Sequence, residues 1–169
     1  LNSTTYQLSC IPRSDHPDAE AAFAYYPIRR LDAEVLIDAL CSITGTKESY
    51  SSAIPEPFTF IPESQRSIQL ADGSITSSFL EMFGRPPRDT GLESERNNAP
   101  TAAQRLHLLN SSHIQRKIQR SPRLRRLFRA RARPREMVAR LYLTILSRFP
   151  TEAELKAILT YRQSDEVRP

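Results

Sequence analysis

Between Leu31 and Ile43 the apolar residues return at helical spacing, at Leu31, Val35, Ala39 or Leu40, and Ile43. This period predicts an amphipathic helix. Asp32 and Glu34 fall in its first half, where the positive end of the helix dipole favours acids, and Gly45 supplies a stop. A second stripe, Ile75, Phe79, Met82 and Phe83, predicts a helix from Ser74 to Phe83, ended by Gly84. Pro100-Thr101 opens a longer one, with Leu106, Leu109, Ile114 and Ile118 along its stripe. Ser121-Pro122 restarts the chain as N-cap and first helical residue. Leu124, Leu127 and Phe128 form the narrow apolar edge of that helix. Pro134 starts a helix with a broad apolar face of Met137, Val138, Leu141, Tyr142, Ile145 and Leu146. Thr151-Glu152-Ala153-Glu154 reads as a capping box for a last helix carrying Leu155, Ile158 and Leu159.

Elsewhere the period fails. Asp18 to Ala24 predicts a short helix that Pro27 ends. From Thr46 to Gly73 the prolines at 55, 57 and 62 interrupt every pattern, and Ser67 to Leu70 reads as a short strand. The aromatics Phe58 and Phe60 argue that this connection packs down, since solvated linkers seldom carry them. The expectation is a mainly α fold: an irregular bundle of about five to seven short helices, a long Pro-rich loop over residues 46–73, and little or no sheet. Residues 1–169 read as a single helical module, a fragment of a larger protein.

Charge changes the picture. The chain carries a net +5, yet residues 113–140 hold eleven Lys or Arg against one acid, Glu136. That Arg-rich helical arm is +10, so the remainder sums to −5. Such asymmetry points to an anionic partner, or to guanidiniums facing solvent along a helix. Arg123, Arg125, Arg126 and Arg129 are the candidate anion-binding residues. A polysaccharide or nucleic acid would be held there through salt-sensitive, sequence-blind contacts.

Catalytic motifs are missing. The glycines at 45, 73, 84 and 91 form neither a dinucleotide fingerprint nor a phosphate loop. His107 and His113, six apart, fall on different sides of one helix and do not form an i, i+4 chelating pair. Cys10 and Cys41 are too few for a metal site; export would leave one disulfide open to them, but Cys41, on an apolar helix, reads first as a buried free thiol. No metal, cofactor or catalytic residue is expected, and no apolar run is long enough to span a bilayer. The densest polar constellation is Arg85, Arg88, Glu93, Arg96, Asn97, Asn98, Gln104 and Asn110. Arginine forks with carboxylates and amides either grip a ligand or partner, or form a buried network that pins the loop to the helix near Pro100.

The same stretch carries a family resemblance. Phe79-Leu80-Glu81-Met82-Phe83-Gly84-Arg85-Pro86-Pro87-Arg88, Glu95-Arg96-Asn97-Asn98 and Pro100-Thr101-Ala102-Ala103-Gln104-Arg105-Leu106-His107-Leu108-Leu109-Asn110-Ser111 resemble the C-terminal planctomycete-specific domain of unknown function. Arg29 to Glu34 and Leu141 to Thr151 do so too. The resemblance implies a domain that ends a large exported multidomain protein, often beside a cytochrome-c-like module. It implies no activity or catalytic residues, and this chain has no Cys-x-x-Cys-His of its own. Three functional expectations follow. The first is a non-catalytic helical interaction module whose partner, another domain of the parent chain or a second protein, is met through the Phe58 to Phe83 region and the Arg85 to Asn98 polar loop. The second is an anion-binding module using the Arg-rich helix. The third is part of a hydrolase or redox enzyme completed by other domains.

Overall fold

Short amphipathic segments set apart by serine, proline and glycine are too small to be stable alone, so each must bury its stripe against a neighbour. The computed structural model describes residues 11, 16–25, 29–52, 54, 60–70, 75–86, 95–97, 99–130 and 132–163. Among them are seven α-helices: α1 Ala33–Thr44, α2 Ser78–Met82, α3 Ala102–Asn110, α4 Ser112–Gln119, α5 Pro122–Arg129, α6 Pro134–Leu146 and α7 Glu152–Gln163. The fold is mainly α. Its sheet is two short antiparallel strands, β1 Ser51–Ser52 and β2 Ile75–Thr76, with Ser51 opposite Thr76 and Ser52 opposite Ile75.

The chain divides into two compact units, residues 1–31 and 32–169. In the first, residues 17–23 form consecutive turns instead of the expected helix. The Ala22 amide donates to the Asp18 carbonyl at 2.9 Å, but Phe23 at φ 51° ends the winding.

In the second unit α1 is the centre, packed against α2, α4, α5 and a 3-10 turn at Ser67–Gln69. Ala33, Ile37, Phe79, Leu80, Phe83 and Ile114 form the core, with Leu36, Leu40, Cys41, Tyr50 and Leu70 against it. The buried stripe of α1 is therefore rotated from the expected one: Ala33 and Ile37 are inside, while Leu31 and Val35 are exposed. Phe79 and Phe83, one helical turn apart, stack at 4.2 Å between ring centroids. Gly45 closes α1 in the left-handed conformation, φ 70°.

Three other expectations change. Ser67 to Leu70 is a 3-10 turn, not a strand, because Asp38 of α1 offers both carboxylate oxygens to the Ser67 and Ile68 amides, at 2.8 and 3.2 Å. Ile75 lies in a strand, and α2 starts only at Ser78 behind the N-cap Ser77. The helix expected from Pro100 to Ile118 is two helices. Ser111 has an extended ψ of 141°, and its hydroxyl accepts from the Ile114 amide, so α4 restarts in a new direction. The other start signals hold. Thr101 and Gln104 form a capping box on α3, Ser121 caps α5, and Thr151 with Glu154 caps α7.

Candidate functional site

The polar constellation around Arg85 condenses on one carboxylate that the sequence left unassigned. Glu34 occupies the buried side of α1, beside Ala33, and is only 5% exposed. Arg96 grips it with two parallel bonds, Nη1 to Oε2 at 2.8 Å and Nη2 to Oε1 at 2.9 Å. Arg85 approaches the same carboxylate, Nε to Oε1 at 3.3 Å, and its Nη1 donates to the Ile75 carbonyl at 2.5 Å. Bidentate, charge-assisted bonds of this kind are the strong ones. Burial by itself raises the Glu34 carboxyl, but the Arg96 fork and the Arg85 charge outweigh it and hold the group below the usual carboxylate range.

The surrounding backbone is fixed to match. Gly84 takes φ 92°, and the Asn97 amide donates to its carbonyl at 3.3 Å. A Cβ on Gly84 would lie 2.1 Å from the Asn97 carbonyl oxygen, so only glycine fits this close approach. Gln104 is buried; its side-chain amide donates to the Met82 carbonyl at 2.9 Å and accepts from the Thr101 amide at 3.1 Å. Arg85, Arg96, Asn97 and Gln104 are thus brought together around Glu34 and Gly84. Asn110 is exposed at the end of α3, and Arg88, Glu93 and Asn98 lie outside the described residues.

A second cluster was not expected. The break at Ser111 swings His113 back to His107, Nδ1 to Nε2 at 3.4 Å, which corrects the placing of the two histidines on opposite sides of one helix. Both rings lie 5.7 Å from Phe79. Burial, helped by the neighbouring His113, lowers the His107 pKa. His113 Nε2 meets Glu48 Oε2 at 2.9 Å, and the buried Lys117 ammonium meets the same oxygen at 2.8 Å. Lys117 also donates to the Lys47 carbonyl at 3.0 Å and to Cys41 Sγ at 3.3 Å. Cys41 carries a free thiol, and Cys10 lies outside the described residues. Burial raises the Cys41 pKa more than Lys117 lowers it, so the sulfur stays protonated and weakly nucleophilic. The signal for this cluster was present in the sequence: Lys117 is three residues from Ile114, on the side of α4 that faces α1.

The arginines of α5 lie on its exposed side. Arg123 bonds the Ser42 carbonyl, and Arg125 the Gln119 carbonyl at 2.8 Å. Arg126 and Arg129 meet no carboxylate among the described residues. Phe128, assigned to an apolar edge, is 55% exposed. Among the described residues no three His, Cys, Asp or Glu side chains gather as metal ligands, and no helix is long and apolar enough to cross a membrane.

A family model for proteins of unknown function, PSD1 (DUF1553), matches residues 1–162. The chain belongs to the PSD1 family. The matched region takes in the Glu34 network, the His107–His113 contact and the arginines of α5 in this PSD1 chain. Searches of curated proteins and of solved structures each gave no significant match.

Proposed function

We propose that this PSD1 chain is a non-catalytic helical interaction module of an exported multidomain protein. The supporting observation is where the apolar side chains sit. Leu106 and Leu109, three residues apart on α3, are 59% and 69% exposed, and Ile145, Leu146 and Phe149 at the end of α6 are at least half exposed. Large apolar groups gathered in this way on a surface mark contact sites for other chains. Of the arginines that would grip a substrate at the Gly84 turn, Arg85 and Arg96 are instead paired with Glu34 inside the fold. The export and the multidomain setting rest on the resemblance of the motif residues alone.

The test is association of the 169-residue chain with the remainder of its parent protein, followed by sedimentation. Leu106→Asp with Leu109→Asp, or Ile145→Asp with Leu146→Asp, weakens association at least about tenfold, the loss of one or two buried aliphatic groups. Circular dichroism melting of both variants stays within a few degrees of wild type. Association unchanged in both variants refutes the reading.

One observation favours a second reading, an anion-binding module for a polyanion. Arg126 and Arg129 are exposed and meet no acid among the described residues. Retention on a heparin column that falls steeply with salt and is lost in the triple variant R125E/R126E/R129E supports it; retention indifferent to those changes removes it.

A further inference from the structure

Four basic residues of α4 and its C-cap, at 113, 116, 117 and 120, follow the i, i+3, i+4, i+7 spacing that places side chains on one helix face. That face fronts the Thr46–Ser49 segment, and between them lies a cleft of about 250 Å³. Its lining includes Thr46, Lys47, Ser49, His113, Arg116 and Arg120, with Glu48 and Lys117 as the remaining members. Glu48 is the single acid among them. Its carboxylate is already paired with the Lys117 ammonium at 2.8 Å and also touches His113 Nε2 at 2.9 Å. The charges left facing the cleft are therefore positive. Among the described residues the Lys47 ammonium reaches one carboxylate, that of the exposed Glu63, at 3.9 Å. Arg116 donates its Nε to the Ser112 carbonyl at 3.1 Å, and neither Arg116 nor Arg120 meets a carboxylate among the described residues.

We infer that this cleft binds a small organic oxyanion, a phosphate or sulfate monoester of about monosaccharide size. Guanidinium forks match the geometry of tetrahedral oxyanions, and the exposed Ser49 hydroxyl suits a hydroxyl of the attached group. The cleft, at about 250 Å³, is roomier than a bare oxyanion needs, which favours an ester. Lys117 and Glu48 are positioning residues: their buried pair fixes the segment on which Thr46, Lys47 and Ser49 stand. The site is separate from the arginine face of α5 and does not depend on the interaction-module reading.

The test uses amide chemical-shift titration of the 169-residue chain with glucose 6-phosphate, glucose 6-sulfate, inorganic phosphate and glucose, at ionic strength held constant with sodium chloride. Saturable shifts at Ser49, Arg116 and Arg120 are expected with one or both esters. Binding weakens at least about tenfold in R116Q/R120Q, as for the loss of one charge-assisted hydrogen bond, and is unchanged in R125Q/R126Q/R129Q. Shifts that do not saturate, or that fall equally in both variants, overturn the site. Inorganic phosphate binding as tightly as both esters overturns the assignment of an ester.

Discussion

Glu34 is the residue on which the turn around Gly84 is built, and its chemistry sets a pH dependence. Its carboxyl lies below the usual range in the folded chain. A depressed carboxylate adds stability above its unfolded pKa and loses it as pH falls through the folded value. Glu34→Gln removes the charge and leaves Arg85 and Arg96 facing a neutral amide inside the fold. Breaking one partner of a buried ionic group costs about 3–5 kcal/mol. Urea unfolding is expected to show that loss at pH 7 and a narrowing gap between wild type and variant as pH drops below about 4. A gap that stays constant with pH would mean that the carboxylate charge contributes nothing. Sequence alone set Arg85, Arg96 and Gln104 in one constellation, because they crowd one stretch rich in arginine and amide; Arg85 and Arg96 meet at Glu34, while Gln104 bonds Met82 and Thr101. It left out Glu34, some 50 to 70 residues earlier. An acid one position from the expected apolar stripe gives no local sign of being buried.

At the level of elements, the caps and the Phe79–Phe83 face of α2 were legible, and the face of α1 was not. Ser121 before Pro122, Thr151 with Glu154, and Gly45 each carry a stop or start written in two or three adjacent residues. The rotation of α1, the pairing of Ser51–Ser52 with Ile75–Thr76, and the break at Ser111 depend on partners far along the chain. Ser121 shows what a single capping residue holds. It is fully buried; its hydroxyl accepts from the Leu124 amide at 3.0 Å and donates to the Thr44 carbonyl at 2.5 Å. It thus starts α5 and satisfies an orphan carbonyl at the end of α1 at once. Ser121→Ala is expected to lower the unfolding free energy by about 2–4 kcal/mol, the sum of a lost cap and an unsatisfied buried carbonyl. Urea denaturation measures it, and a loss below about 1 kcal/mol would separate α5 from α1 energetically.

Over the whole molecule, charge and packing are unevenly laid out. Residues 113–140 hold a net +10. The one acid in that stretch, Glu136, pairs with Arg140 at 2.6 Å. Like charges a turn apart on α4 and α5 repel, and dissolved ions screen them within about 10 Å at 0.1 M salt. The melting temperature is therefore expected to rise by a few degrees between about 0.05 and 0.5 M sodium chloride, about 1 kcal/mol for a chain of this size. Calorimetry checks the sign; a fall would mean that exposed attractive pairs such as Arg148 with Glu154 outweigh the repulsion. The charge asymmetry was plain in the sequence. The exposure of Leu106, Leu109 and Ile145 was not, since a helical stripe reads the same whether a neighbour covers it or not.

The central place of α1 has a consequence for how this protein is made. Among the described elements, those that pack most closely on it lie between Ser67 and Arg129, downstream of it. A ribosome adds roughly 5–20 residues per second, so the oily side of α1 emerges roughly 4–17 s before α5 exists to cover its far end. During synthesis the nascent chain carries an uncovered apolar helix that later helices must reach back to enclose.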